Sequence, residues 1–286
     1  MNKLSWDHIQ KQSDLILSDG LFKLKSQPIL SHSQVEEKSF GNYLITLDNI
    51  PFYIGEAKEL KKRLNQQFKE STSTFYRNYQ RQIETKKQSR LFPIERFKVQ
   101  VMTSKIGRKE IEEFGIVNLP TKLNNFQLDK RIKQAIKDQK GIWDIVQQNY
   151  NTILSEGEST VLETRFTKWF DTSIDSTPGL YLVKDQKGNL IYIGESSNVG
   201  ERIKTHTSQT YFSALRRHIG TEILGYTLKE RNGKKKYFTA TEDNSVTEFL
   251  KTCKSSISVI NLGRYELEEY MIKKHRPLLN IKDNKD

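Results

Sequence analysis

Gly41-Asn42-Tyr43 followed by Tyr53-Ile54-Gly55-Glu56, and Gly179-Leu180-Tyr181 followed by Tyr192-Ile193-Gly194-Glu195, are one pattern met twice in a single chain. Each copy continues to an arginine (Arg63; Arg202), a glutamate (Glu112; Glu268) and an asparagine (Asn124; Asn280). The second tyrosine and the arginine are ten residues apart in both copies, 63 − 53 and 202 − 192. The glutamate and the asparagine are twelve apart in both, 124 − 112 and 280 − 268. Two such strings in register make a repeated active site the leading reading.

Working outward, Tyr43–Leu47 and Phe52–Ile54 flank a turn at Asp48-Asn49, and Leu180–Val183 and Leu190–Ile193 flank Lys187-Gly188-Asn189. Both are hairpin signals. Leu60, Leu64 and Phe68, or Val199 and Ile203, then mark a helix. Phe97–Val101 and Ser256–Ile260 read as later strands, each followed by a helix that carries the glutamate. Ile111 and Phe114, or Leu267, Tyr270 and Met271, are its inward-facing residues. Upstream, Trp6 to Gly20 aligns without gaps on Trp143 to Gly157, with seven identities in fifteen positions. Trp6, Ile9 and Ile16, like Trp143, Val146 and Ile153, share one helical face, and Gly20 and Gly157 stand where such a helix would stop. The predicted fold is α/β (α+β): two tandem domains, 1–140 and 141–286, each a small central antiparallel sheet flanked by helices and preceded by its own leading helix, together a pseudo-dimer. The offset between the copies grows from 139 at the arginines to 156 at the glutamates, so the second carries 17 extra residues. These are assigned to the stretch Lys229–Tyr237, whose basic tip suits a DNA groove or backbone as well as it suits a solvated loop.

The pattern resembles that of the GIY-YIG nucleases. The stretch from Glu268 to Asn280, ending Pro277-Leu278-Leu279-Asn280, is similar to that family's glutamate helix and its end. The resemblance implies a catalytic set of Tyr43, Tyr53, Arg63, Glu112 and Asn124 in one copy, and Tyr181, Tyr192, Arg202, Glu268 and Asn280 in the other. It implies Glu112 and Glu268 as metal ligands, Mg²⁺ as the ion with Mn²⁺ as its substitute, and double-stranded DNA as the partner. Some restriction endonucleases of the family also carry a histidine four residues after the arginine, as His206 follows Arg202. There are departures. GNY and GLY replace GIY, Gln67 stands where the first copy would have that histidine, and Pro120 leads to Asn124 with one extra residue.

The residue types suit this chemistry. A hard cation held by one carboxylate, a substrate phosphate and waters is a common Mg²⁺ arrangement, able to activate a water and neutralise charge at phosphorus. Glu110, Glu113, Glu266 and Glu269 crowd the proposed ligands, and only the spacing to asparagine and the resemblance select among them. Arg63 and Arg202 offer planar forks of donors for phosphate oxygens. A phenol with pKa near 10 is a poor base at neutral pH, and lowering it by about 3 units requires roughly 4 kcal/mol of differential stabilisation. Metal-bound water, a neighbouring cation, the second phenol or His206 are the candidate sources. Tyr43 and Tyr181 are expected to act on the attacking water and Tyr53 and Tyr192 to orient them, a division that the sequence leaves open. Asn124 and Asn280 are expected to support the chain end of the glutamate helix before any chemistry. Arg216-Arg217-His218, with Arg77, Arg81 and Lys86, are candidate DNA contacts.

Composition agrees. With 47 Lys and Arg against 35 Asp and Glu, the 286-residue chain carries a formal charge of +12, and nucleic acid is the default partner for so basic a protein. The single cysteine, Cys253, excludes an intramolecular disulfide and a cysteine-cluster metal site, and the five histidines lack zinc-ligand spacing. Met1–Gln10 has no apolar core of a signal peptide and no run approaches the roughly 18 apolar residues of a membrane span, so a soluble, cytoplasmic protein is expected. The function expected is a restriction endonuclease acting as a monomer with internal pseudo-two-fold symmetry, one active site per strand. A homing or repair nuclease is the alternative within the class. A DNA-binding protein on a degenerate nuclease fold is the alternative outside it, disfavoured by Tyr, Arg, Glu and Asn standing in both copies.

Overall fold

The computed structural model describes residues 4–86, 91–121, 123–124, 133–171, 176–208 and 210–281. The leading segment is a pair of helices rather than one. Ser5 caps α1 (Trp6–Lys11) by accepting from the His8 amide, and Gln12 ends it before α2 (Ser13–Lys25) begins. Gly20 does not stop α2. A Cβ there would stand 2.7 Å from the Ile111 side chain and from the Trp143 ring, so this glycine is a point of close approach inside a helix, at a propensity cost of about 1 kcal/mol.

The hairpin forms as the sequence predicts. Asp48 and Asn49 both take positive φ, 51° and 64°, which suits a two-residue turn between twisted strands. It joins β1 (Gly41–Leu47), buried along its whole length, to β2 (Ile50–Ala57). The helices α3 (Leu60–Gln67) and α4 (Thr74–Lys86) follow, then β3 (Lys98–Thr103) and the glutamate helix α5 (Arg108–Asn118). The sheet is antiparallel, in the order β2-β1-β3, and its apolar core joins Leu60, Leu64, Phe75 and Phe97 to the strand side chains. α6 (Ile142–Gln148) completes this part: Asp19 accepts from the backbone amides of Gln139 and Trp143 at 2.7 and 2.8 Å, and Trp143 is buried.

The chain divides into two compact units, Met1–Ile153 and Leu154–Asp286, with the division inside α7 (Tyr150–Glu163). That helix also runs through its glycine, Gly157. In the second unit β4 (Thr167–Lys168), β5 (Gly179–Lys184) and β6 (Leu190–Ser196) precede α8 (Val199–Ser208) and α9 (Ala214–His218). The longer stretch after α9 holds the hairpin β7 (Lys229–Arg231) and β8 (Lys234–Tyr237), and also a further helix, α10 (Ala240–Thr252), which Thr239 and Glu242 cap reciprocally. Then come β9 (Lys254–Val259) and the second glutamate helix, α11 (Arg264–His275). The sheet is antiparallel, in the order β4-β9-β5-β6, over a core that includes Trp169, Ile203, Leu215 and Leu250. No helix among the described residues is long and apolar enough to cross a membrane.

Candidate active site

The register of each hairpin fixes its tyrosine pair. Tyr43 lies opposite Gly55 and Tyr53 opposite Ile45, and the two phenol rings are 6.2 Å apart. Tyr181 lies opposite Gly194 and Tyr192 opposite Val183, with ring centroids 6.0 Å apart. The glycines are forced by this packing. A Cβ on Gly55 would meet the Tyr43 ring and hydroxyl at 2.4 Å, and one on Gly194 would meet those of Tyr181 at 2.3 Å. Likewise a Cβ on Gly41 or Gly179 would lie 2.2 or 2.1 Å from a carbonyl oxygen of the neighbouring strand. The pattern is therefore a packing requirement as well as a chemical one.

Arg63 and Arg202 are each within hydrogen-bonding reach of their tyrosines. The first turn of α3 sets Arg63 in the wall of a cavity of about 460 Å³, lined also by Glu56, Lys58 and Lys62. Burial pushes the hydroxyls of Tyr43, Tyr53 and Tyr181 above the ordinary phenol range, and the neighbouring phenol of each pair adds to this for Tyr43 and Tyr181. The arginines oppose the shift without reversing it. The isolated phenols are therefore protonated at neutral pH and present hydrogen-bond donors.

Gln67 and His206, four residues after the arginines, reach the same hydroxyl. Gln67 Nε2 donates to Tyr43 Oη at 3.1 Å, and His206 Nε2 lies 2.7 Å from Tyr181 Oη. Burial, then Arg202, Arg216 and Arg217, hold His206 well below the usual imidazole range. It contributes a hydrogen bond to Tyr181 as a neutral ring, not the positive charge by which a cation would lower a phenol.

Glu112 sits on α5, half-buried, its carboxyl pushed up to about 7 by burial and further by Glu56 and Glu113, against the pull of Lys109 and Arg63. Lys109 Nζ lies 3.4 Å from Glu56 and 4.0 Å from Glu112. In the second unit Glu268 Oε1 accepts from the Glu195 amide at 3.0 Å, which aims the carboxylate toward the hairpin. Glu195 in turn accepts from buried Arg264 at 3.0 Å. The sequence reading passed over Arg108 and Arg264, although a signal was present: in both copies a glycine with φ near +85° and then an arginine precede the glutamate by five and four residues. Of the competing carboxylates, Glu110, Glu113 and Glu266 are buried.

Asn124 and Asn280 act on the backbone. Asn124 accepts from Ile54 N at 2.9 Å and donates to Ile54 O at 2.7 Å. Asn280 does the same to Ile193, at 3.0 and 2.8 Å. β2 and β6 are edge strands, and each amide satisfies backbone groups that have no strand partner. The residues before them, Leu123 and Leu279, donate to Phe52 O and Ile191 O, extending this short side-on pairing.

Of the proposed DNA-contact cluster, Arg216 is internal where an exposed side chain is expected, and Arg217 and His218 are half-buried. Arg216 is buried, bridging Asp243 at 2.9 Å and donating to Thr210, His206 and Thr207. Arg217 donates to the carbonyls of Thr210 and Tyr211, and His218 Nδ1 lies 2.6 Å from Leu279 O. An interior guanidinium whose donors are spent on carbonyls and a carboxylate organises loops rather than phosphates. Arg77 and Arg81 are exposed, while the side chain of Lys86 lies outside the described residues.

No cluster of three His, Cys, Asp or Glu that could hold a metal occurs among the described residues. A glutamate without a surrounding ligand cluster fits a hard cation completed by substrate oxygens and water, and does not fit a caged transition metal. A guanidinium, a phenol pair and a carboxylate are the residue types that a phosphodiester-cleaving centre uses. Residues 167–286 match the family described as the GIY-YIG catalytic domain. This match to the second part of the chain indicates a DNA endonuclease, and nucleases of the matched family are generally metal-dependent. Among curated proteins no match was found.

Proposed function

We propose that the chain is a sequence-specific, metal-dependent endonuclease of double-stranded DNA with one active site in each unit, cutting one strand apiece, and that it serves as a restriction enzyme working as a monomer. One observation carries this reading. The tyrosine pair over a glycine, the arginine within reach of it and the asparagine clamp on the middle strand residue recur in residues 41–124, outside the matched segment, with the same partners. The units 1–140 and 141–286 are then two copies of one domain, and a pseudo-dimer places two cuts without a second chain. Glu112 and Glu268 would hold Mg²⁺, which when bound supplies an activated water and neutralises phosphate charge. Arg63 and Arg202 orient the phosphate, and Tyr43 and Tyr181 direct the attacking water while Tyr53 and Tyr192 hold them. Asn124 and Asn280 support the hairpin edge. Restriction is favoured over homing or repair by the spacing of Arg202 and His206.

Plasmid DNA incubated with the protein and Mg²⁺, with the fragment ends sequenced, tests this reading. Discrete paired breaks at one site are expected, and EDTA should abolish them. Random ends, or full activity in EDTA, would remove specificity or the role of the two glutamates. A second reading, in which the first unit binds DNA without cutting, is favoured by Lys109, an ammonium within 4.0 Å of Glu112 where the second copy has Tyr265.

A further inference from the structure

The segment between α8 and α9 sets aromatic rings beside the phosphate-binding arginine. Phe212 is 62% exposed, which is unusual for so large an apolar ring, and its carbonyl accepts from Arg202 Nη1 at 3.2 Å. Tyr211 packs edge-on against it with centroids 4.7 Å apart, and Tyr237 of β8 lies 5.2 Å from Tyr211 at an interplanar angle of 33°. With Phe238, Thr210 and Asp243 these rings line an open cavity of about 400 Å³. Its one carboxylate is already neutralised by Arg216. The surrounding charge is positive: Lys236 Nζ stands 5.2 Å from the Tyr211 ring and Arg231 5.7 Å from the Tyr237 ring, while Lys234 and Lys235 are exposed on the same hairpin. The segment is held rigidly, because Arg217 donates to the carbonyls of Thr210 and Tyr211.

Among the described residues the first unit has nothing comparable. Ser73 caps α4 by accepting from Tyr76 N, as Ser213 caps α9 by accepting from Arg216 N. Counting back from these serines, Ser71-Thr72 stand where the second unit has Tyr211-Phe212. The platform therefore belongs to the second unit alone.

Resting on the endonuclease reading, we propose that Tyr211, Phe212 and Tyr237 receive a nucleobase turned out of the DNA stack beside the phosphate that Arg202 holds, with the lysines of the β7–β8 hairpin on the adjoining phosphates. Exposed aromatic faces interleaved with cations are the chemistry that recognises unstacked bases, because every base has a π-face and carries its phosphate with it. Phe212 and Arg202 share a hydrogen bond, so base and phosphate of neighbouring nucleotides can be engaged together.

The test measures the affinity of the full chain in EDTA for a fluorescent single-stranded oligothymidylate by anisotropy, across a salt series. Phe212→Ala and Tyr237→Ala are each expected to weaken binding by about five-fold to a hundred-fold with the salt slope unchanged, since stacking releases no counterions. Phe212→Trp should restore it, and Lys235→Ala should instead flatten the slope by about 0.7. Thermal unfolding midpoints of the variants separate lost stacking from lost fold. Unchanged affinity in both alanine variants, with wild-type plasmid cleavage in Mg²⁺ intact, would overturn the platform and leave the nuclease standing. Wild-type protein that neither binds nor cuts DNA would overturn both. Loss of self-association in Phe212→Ala, with DNA affinity unaltered, would make the patch a protein interface and also overturn the proposal.

Discussion

The first and second units hold the same phenol by different means. Gln67 Oε1 accepts from the Thr74 and Phe75 amides at 2.9 and 3.4 Å, so its amide must present Nε2 to Tyr43, and the phenol oxygen there is an acceptor. His206 is a neutral ring between Tyr181 at 2.7 Å and Ser213 at 2.6 Å, and its Nε2 is donor or acceptor toward the phenol according to the tautomer. The fixed Gln67 amide has the donor role only. Lys109 lies against Glu112 in the first unit, while an arginine and a backbone amide organise the carboxylates of the second. Equal backbone geometry thus carries unequal side chains: a fixed amide donor meets Tyr43 in the first unit, and a buried neutral imidazole meets Tyr181 in the second.

The largest effect that would break this comparison comes from the arginines. Losing a fixed phosphate-neutralising donor costs on the order of 10²–10³ in rate. Arg63→Ala and Arg202→Ala should each turn double-strand breaks into nicks, on opposite strands, and the double variant should bind without cutting. Plasmid topology on a gel reads this directly. Wild-type breakage by Arg63→Ala would make the first unit a binding module only.

The next effect is on pH dependence. Glu112, pushed up to about 7, must lose its proton to bind a cation, so nicking by Arg202→Ala, which leaves the first unit alone, should rise about tenfold per pH unit up to about 7 and then level. A profile already flat from pH 5 would mean that Glu112 is not the ligand.

The partner of the buried phenol gives the next effect. His206→Gln should slow the second-unit strand by about tenfold, equivalent to about 1.4 kcal/mol, measured by single-turnover cleavage of end-labelled duplex. The same variant carries a stability signature. The folded state holds His206 neutral below the usual imidazole range, so as pH falls below about 6.5 the unfolded chain takes up a proton that the folded chain refuses. Stability should fall with acid across that window, and His206→Gln should flatten the slope in urea titrations. The smallest distinction is structural. Gly55→Ala and Gly194→Ala drive a Cβ into a tyrosine ring in both units, so both should lose about 1–3 kcal/mol, and unequal losses would show that the two rings are not equally confined.

Much of this was legible in the sequence because it is local or periodic. Asp48-Asn49 announced its turn, Leu60 and Leu64 announced α3, and the spacing of Arg202 and His206 set both on one helical face. What escaped needed the tertiary neighbour. Gly20 reads as a helix stop by propensity, and only the ring of Trp143 against it explains why the helix continues. Arg216 reads as a DNA contact by charge, and only Asp243 and the surrounding carbonyls show it to be interior. The asparagines could be placed at a helix end, but their target, the backbone of a strand about 70 or more residues earlier, has no trace in local pattern.

That clamp has a consequence for the chemistry of ageing. An amide offers a donor and an acceptor on two separate atoms, matching an Ile N–H and C=O at once. Hydrolysis of Asn280 to aspartate would turn the donor into a charged oxygen facing the Ile193 carbonyl, while leaving the chain almost the same mass and shape. The Ile193 carbonyl would then lose its donor while its amide kept an acceptor, leaving the strand edge beside Tyr192 half-satisfied and more open to adhesion by another strand.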